Sequence, residues 1–183
     1  MCLVDKLPDI YSSELILDLL ASISERAPRH VSEQTLPLLF ASLPDAAPSR
    51  EDTGGREKCW QTLSALRQLC VQQELFENLV IRLTTKLDLL CFPSQIGTQE
   101  DLEPSQAYAH MILKTLAQTL ATKVKAKHPD VSKYVDRLVP SIFNIFVASA
   151  FLAEKRNVVA ADSRLIGVAG EIVTLVIQSL PLL

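Results

Sequence analysis

The chain has 183 residues, of which 48% are apolar but only 5% are aromatic and 5 are glycines. This composition favours helices and argues against a β-sandwich, which needs more turn residues. A formal charge of −3, from 18 basic and 21 acidic side chains, excludes a surface that holds nucleic acid by phosphate neutralisation alone.

Four helices are predicted in the first half of the chain. The first spans residues 12–26, with Leu15, Leu19 and Ile23 at helical spacing, and the second spans residues 32–43. A loop with several Pro and Gly residues follows, and then come helices over residues 57–71 and 74–90. Each of the last two has one apolar stripe, made of Cys59, Leu63, Leu66 and Cys70 in the third helix and of Leu75, Leu79, Leu83, Leu87 and Leu90 in the fourth.

Three more helices are predicted in the second half, which makes about seven in all. The fifth spans residues 105–127 and ends in a basic turn that suits the negative end of the helix dipole. The sixth, from residue 130 to about residue 150, is apolar almost all round, so we expect it to be covered from more than one direction. The seventh spans residues 161–180, with Arg164, Glu171 and Gln178 on a solvated stripe; the glycines in Gly167-Val168-Ala169-Gly170 are expected to allow close helix packing.

A proline recurs inside two of these apolar helices. Pro37 lies in Thr35-Leu36-Pro37-Leu38-Leu39-Phe40, and Pro140 lies in Leu138-Val139-Pro140-Ser141-Ile142-Phe143. A proline removes a helical hydrogen bond and bends the chain, so its recurrence at matching positions is typical of a curved α-solenoid rather than of an isolated helix.

The helices therefore predict an all-α fold, an α-solenoid of HEAT-type repeats that occupies residues 1–183 as a single array. We expect a leading helix over 12–26 and three helical pairs, 32–71, 74–127 and 130–180. A single globular bundle is the alternative. Residues 173–183 offer no polar cap of the kind that closes a solenoid, so we expect a piece of a longer array.

No pattern for catalysis, cofactors or metals stands out in the sequence. His30, His110 and His128 have no local nucleophile or orienting acid, and no CxxC or HxxxH pair supplies zinc ligands. Cys2, Cys59, Cys70 and Cys91 are expected to be reduced thiols, buried in apolar helices. The prediction is a protein that is not an enzyme, binds no cofactor and has no segment long enough to span a membrane.

A few side chains are candidates for contacts with other proteins. Trp60 and Tyr108 are possible anchors, although core packing is the more frequent role of such aromatics. The basic group Lys114, Lys123, Lys125, Lys127, Lys133 and Arg137 is explained mainly by the helix dipole and by solubility, with an acidic partner as the alternative.

Several stretches resemble a known family of HEAT-repeat scaffolds. They are Leu36-Pro37-Leu38-Leu39-Phe40-Ala41-Ser42-Leu43-Pro44-Asp45, Cys59-Trp60-Gln61-Thr62-Leu63-Ser64-Ala65-Leu66, Leu79-Val80-Ile81-Arg82-Leu83-Thr84-Thr85-Lys86-Leu87 and Tyr134-Val135-Asp136-Arg137-Leu138-Val139-Pro140. They are similar to the central array of the scaffold subunit of the cytosolic iron–sulfur protein assembly (CIA) targeting complex, a family also named for nucleotide excision repair and transcription.

The resemblance implies a non-catalytic adaptor that presents apo iron–sulfur proteins of DNA repair and replication to the assembly machinery. Its partners would be CIA subunits and these client proteins, with no direct contact to nucleic acid or membrane, in the cytoplasm and the nucleus. A HEAT-repeat nuclear transport receptor of the karyopherin type is the alternative. Because the second helices of HEAT pairs usually line the concave face, polar residues on them are the candidate protein contacts: Gln68, Lys114, Gln118 and Glu171.

Overall fold

The computed structural model describes residues 10–91, 103–144 and 163–180, and every regular element in these ranges is helical. The helices are α1 (Ile10–Arg26), α2 (Pro28–Gln34), α3 (Leu36–Ala41), α4 (Thr53–Leu69), α5 (Gln73–Cys91), α6 (Glu103–Lys125), α7 (residues 135–144) and α8 (Ser163–Ser179). A 3₁₀ turn, Val131–Tyr134, leads directly into α7.

The helices stack in two layers. In the first layer α1 contacts α4, α4 contacts α6, and α6 contacts α8. In the second layer α2 packs on α5, and side-chain hydrogen bonds join α5 to α7. Contacts between α1 and α2, α3 and α4, and α5 and α6 connect the layers. Stacking of successive helices in two layers is the architecture of an α-solenoid, as the sequence predicted. Because helices contact neighbours on both sides along the chain, the division into pairs 32–71, 74–127 and 130–180 stays a prediction.

The two prolines lie on the exposed side of the second layer, but they act differently. Pro37 stands in the first turn of α3, and the predicted helix over residues 32–43 is split at Thr35 into α2 and α3. The first turn of a helix tolerates proline because its N–H groups have no partner within the helix. Pro140 lies inside α7, as predicted.

The core follows the predicted stripes of α4 and α5. Cys59, Leu63, Leu66 and Cys70 are fully buried, as are Leu75, Leu79 and Leu87. On α1 the outcome differs, because Leu15 and Leu19 are exposed and Leu20 is buried in their place. This first helix has α4 on only one flank of its layer among the described residues, so half of its apolar surface stays uncovered.

Two expectations for the second half of the chain have different outcomes. The described part of the sixth predicted helix is covered from more than one direction, because its first turn contacts α6 and α8 and its later residues bond to α5, although Val139 and Phe143 are exposed. Residues 145–150 of the predicted helix lie outside the described residues. The glycines at positions 167 and 170 do not serve close packing, because a Cβ added at either would meet nothing within 4 Å.

A buried ion pair lies where the end of α6 meets the turn that follows α4. The ammonium Nζ of Lys123, 0% exposed, lies 2.9 Å from Oδ2 of Asp130 and donates to the carbonyl oxygen of Val71 at 2.7 Å. It also stands 4.9 Å from the centroid of the Phe76 ring. The ring of Tyr134 meets Phe76 edge to face at 5.0 Å. The end of α6, the turn after α4 and the start of α5 are therefore held together by one charged group in an apolar setting.

Two thiols lie in this core, and we expect their reactivity to report unfolding. Burial raises the pKa of Cys59 to about 11 from 9.0 and raises that of Cys70 as well. Between pH 9 and pH 11 the unfolded chain therefore loses the Cys59 proton while the folded chain keeps it, and this difference lowers stability as the pH rises.

The measurement is alkylation with iodoacetamide followed by peptide mass mapping. Both thiols should stay unlabelled near neutral pH until urea unfolds the chain. Rapid labelling of Cys70 in the absence of urea would contradict the buried position. Cys2 and Cys91, whose side chains lie outside the described residues, are mapped in the same experiment but are not part of the prediction.

Candidate protein-contact surface

The four candidate contact residues all lie on helices of the first layer. Gln68 is on α4, Lys114 and Gln118 are on α6, and Glu171 is on α8. Because α4 packs against α6 and α6 against α8, the three helices present one shared outer surface. We call this outer surface of α4, α6 and α8 the first-layer face.

An aromatic side chain and a lysine meet on this face. The Nζ of Lys114 lies 5.2 Å from the centroid of the Trp60 ring, within the range of a cation–π contact. Trp60 is 39% exposed, so the expectation that it packs in the core is wrong. An accessible tryptophan held by a lysine is the kind of anchor on which protein interfaces depend.

A side-chain hydrogen bond is a second contact between α4 and α6. One guanidinium N–H of Arg67 donates to Oε1 of Gln118 at 3.1 Å. Gln118 is therefore half-buried and already bonded, whereas Gln68, next to Arg67, is exposed. Glu171 is exposed on α8 together with Arg164 and Gln178, as the predicted solvated stripe requires. The structure thus joins Lys114 and Gln118 to α4 and leaves Gln68 and Glu171 open to solvent.

An ion pair links the beginnings of α4 and α6. The two terminal nitrogens of Arg56 lie 2.9 Å and 2.5 Å from the two carboxylate oxygens of Glu103. The hydrogen bonds from Arg56 hold the pKa of Glu103 below its ordinary value. Such a two-point pair orients both helix ends, which fixes the register of the first-layer face at its start.

The predicted basic group does not form one continuous surface. Lys123 is fully buried, and Lys114 lies over Trp60. Lys125 ends α6 and Lys127 follows that helix, and both are exposed, whereas Lys133 lies in the 3₁₀ turn and Arg137 lies on α7. A dipole argument places lysines at a helix end but does not say which of them points inward.

A loop between the layers borders a cavity of about 500 Å³. The carbonyl oxygen of Pro44 accepts the Tyr108 hydroxyl at 3.0 Å and the Lys86 ammonium at 2.5 Å, which anchors the loop. At the far side the Asp52 carboxylate accepts the Gly55 N–H at 2.8 Å and caps α4. The cavity is lined by Ser42, Pro44, Ala46, Ala47, Pro48, Ser49, Asp52, Gly55, Lys58 and Cys59. Tyr108 is fully buried, and its hydroxyl holds the loop through the hydrogen bond to Pro44.

Neither a metal site nor a membrane-spanning helix is present among the described residues. Over residues 10–91, 103–144 and 163–180, no three His, Cys, Asp or Glu side chains come close enough together to hold a metal ion. In the same ranges no helix is both long and apolar enough to cross a membrane.

Sequence patterns missed one set of exposed apolar residues. Ile81 and Leu89 fall off the inward stripe of α5, and both are exposed. Their position opposite the stripe could have predicted their exposure, since two large apolar side chains on the polar side of a helix are unusual. Val139 and Phe143 had no such signal, because the sixth predicted helix is apolar on every side.

One comparison with known proteins, that with family models, agrees with the resemblance. A family model described as RNAPII transcription regulator C-terminal, that of the MMS19 family, matches residues 62–182. It represents the C-terminal part of the family, whereas the resemblance pointed to its central array. Comparison with curated proteins and with solved structures gave no significant match. The family is one of scaffold proteins linked to transcription and DNA repair. With its two layers of stacked helices and a match over most of its length, the chain belongs to the MMS19 C-terminal family.

Proposed function

We propose that the chain is a non-catalytic adaptor of the cytosolic iron–sulfur protein assembly targeting complex and helps to deliver clusters to apoproteins of DNA repair and replication. The observation that carries the proposal is the family match over residues 62–182. The cluster is cargo in this scheme. It passes from the assembly subunits to the client, and the chain itself contributes protein contacts.

The arrangement of the first layer supports an adaptor role. Two of its helices, α4 and α6, are held in register by Arg56–Glu103, Arg67–Gln118 and Trp60–Lys114, so their outer side chains are presented on a rigid support. Rigid presentation lowers the entropy lost when a partner binds. In the family that the chain resembles, docking of the other assembly subunits is attributed mainly to C-terminal repeats. The matched family model covers the C-terminal part of that family.

The partners we propose are the other CIA subunits and apo iron–sulfur clients, without direct contact to nucleic acid or membrane. We also propose that the protein is present in both the cytoplasm and the nucleus, where such clients are made and used. Fluorescent tagging of the protein in cells tests the location, and exclusion from either compartment would contradict it.

Affinity purification of the tagged protein from cells tests the function. Recovery of CIA subunits together with apo iron–sulfur proteins is the expected result. Recovery of nuclear-pore proteins alone would overturn the proposal and favour the karyopherin-type alternative. Binding of purified CIA subunits to the recombinant full chain then tests whether the contact is direct.

Lys114 gives a sharper test of the first-layer face. The substitution Lys114→Glu removes the cation over Trp60 and places a negative charge there, so we expect binding of the recovered partner to weaken about tenfold, or ~1.4 kcal/mol. Isothermal titration calorimetry provides the measurement. Lys133→Glu makes the same charge change at an exposed residue of the 3₁₀ turn, off the helices of the first-layer face, and is the matched control. If Lys114→Glu leaves every partner bound with unchanged affinity, Lys114 is not a contact residue.

A further inference from the structure

Four serine or threonine residues of the described ranges have an acid three positions later in the chain. Acidophilic serine/threonine kinases select this spacing, because basic side chains of the kinase pair with that acid. The four residues are Ser22, Ser42, Ser49 and Thr85, followed by Glu25, Asp45, Asp52 and Asp88. Ser49 also has Glu51 two positions later. The sequence pattern does not separate the four residues, but their structural settings differ.

Of these four residues, Ser49 is the one that is both exposed and outside the helices. Ser22 and Thr85 lie within α1 and α5, and Ser42 is half-buried just after α3. Each of these three donates its hydroxyl proton to a backbone carbonyl three or four residues earlier. The Ser49 hydroxyl instead accepts the Asp52 N–H at 3.3 Å, in the loop that precedes α4. A kinase binds its substrate in an extended form, so a loop serine can be presented where a helical hydroxyl cannot.

The backbone of Ser49 is bound to an arginine. The Nε of Arg56 donates to the Ser49 carbonyl oxygen at 2.9 Å, and one terminal nitrogen also reaches the Pro48 carbonyl oxygen at 3.4 Å. The two terminal nitrogens of the same guanidinium hold both carboxylate oxygens of Glu103, the residue that begins α6. A phosphate on the Ser49 hydroxyl would therefore lie within one residue of the guanidinium that ties α4 to α6.

Three arginines act on the carboxylate of Glu103. The hydrogen bonds from Arg56 lower the pKa of Glu103 most, and the charges of Arg50 and Arg164 lower it further. Arg50 precedes α4 and Arg164 lies in the first turn of α8, so these charges gather where α4, α6 and α8 begin. A phosphate carries about −1.5 to −2 charge at pH 7, more than a carboxylate does, and would compete with Glu103 for the same guanidinium groups.

We propose that Ser49 is a phosphorylation site for an acidophilic serine/threonine kinase and that its phosphate takes Arg56 from Glu103. In the transfer the Ser49 oxygen attacks the γ-phosphorus of ATP, the bond to the β-phosphate oxygen breaks and ADP leaves, while the hydroxyl proton passes to the base of the kinase. Glu51 and Asp52 repel the phosphate, which favours its approach to Arg56. Loss of the Arg56–Glu103 pair then loosens the start of α6, a form of regulation separate from the adaptor role.

Incubation of the recombinant full chain with casein kinase II, Mg²⁺ and ATP, followed by peptide mass mapping, tests the modification. We expect phosphate on Ser49, with modification of Ser22 and Thr85 at least about tenfold slower despite the same acid spacing. Asp52→Asn should slow the modification of Ser49 at least about tenfold, because asparagine caps α4 as well as aspartate does but carries no charge. Absence of phosphate on Ser49, an equal rate in Asp52→Asn, or equal modification of Ser22 would overturn the site.

Hydrogen–deuterium exchange of the phosphorylated chain tests the transfer of Arg56. Exchange over residues 107–112 of α6 should rise at least about threefold relative to the unmodified chain, whereas kinase-treated Ser49→Ala should show no change. Glu103→Gln should raise the same exchange without phosphate, and phosphorylation of Ser49 should then add little. Unchanged exchange in the phosphorylated chain, or an equal further rise in Glu103→Gln, would overturn the transfer.

Discussion

Replacing Lys123 with Met is expected to lower the free energy of unfolding by about 3–5 kcal/mol, the cost of leaving one member of a buried ion pair without its partner. Asp130, 2% exposed, would keep its carboxylate in the interior, and the carbonyl oxygen of Val71 would lose its donor. Burial already lowers the pKa of Lys123, and the ion pair with Asp130 opposes that effect. The ion pair with Asp130 therefore offsets part of the effect of burial on the Lys123 pKa.

Urea denaturation followed by circular dichroism measures this loss. Lys125→Met is the matched control, since Lys125 lies two residues further on and is exposed, and it should change stability by less than about 0.5 kcal/mol. Adding Asp130→Leu to Lys123→Met should recover most of the loss, because removing both charges of a buried pair is often nearly neutral. An equal effect of Lys123→Met and Lys125→Met would refute the buried position of Lys123.

Replacing Phe76 with Ala is expected to cost about 3–5 kcal/mol, as for other fully buried aromatic side chains. The substitution opens a cavity at the junction of α5 with the 3₁₀ turn. It also removes the edge-to-face partner of Tyr134 and the ring beneath the Lys123 ammonium.

Thermal and urea unfolding give the measurement, and Phe143→Ala is the control. Phe143 is 65% exposed, so its truncation should change stability by less than about 0.5 kcal/mol. The pair of variants compares the same chemical change inside and outside the core. A similar loss for both would mean that Phe143 is covered in solution.

Lys123 and Phe76 are in contact, so their substitutions should not add. A double-mutant cycle is expected to give an interaction energy of about 0.5–3 kcal/mol, with the double variant less destabilised than the sum of the two single variants. Strict additivity would mean that the contact between the ammonium and the ring contributes nothing to stability.

Helical periodicity was reliable where a helix has one inward side. The stripes of α4 and α5 are buried as predicted, and the predicted helix limits fall within a few residues of those observed. Periodicity failed for Val139 and Phe143, because an apolar residue on every side of a helix does not reveal which sides have neighbours. It failed for Leu15 and Leu19 for the related reason that, among the described residues, α1 has a first-layer neighbour on one flank only.

The candidate site was predictable only in part. Lys114 and Gln118 were predicted as polar residues of one helix, and that helix, α6, lies in the first layer between α4 and α8. Their partners, Trp60 and Arg67, lie in the preceding first-layer helix. A pattern within one helix carries no information about the register of two helices that are distant along the chain.

By itself, the sequence determined the all-α class, most helix limits, the buried stripes and the family, because helix propensity, periodicity and breaker residues act over short distances along the chain. Only the tertiary structure decided that Lys123 is buried, that Trp60 is exposed beside Lys114, and that Val139 and Phe143 are exposed on α7. These features depend on which helices stack beside one another. Stacking follows from the combined burial of many side chains far apart in the chain, so no single segment specifies it.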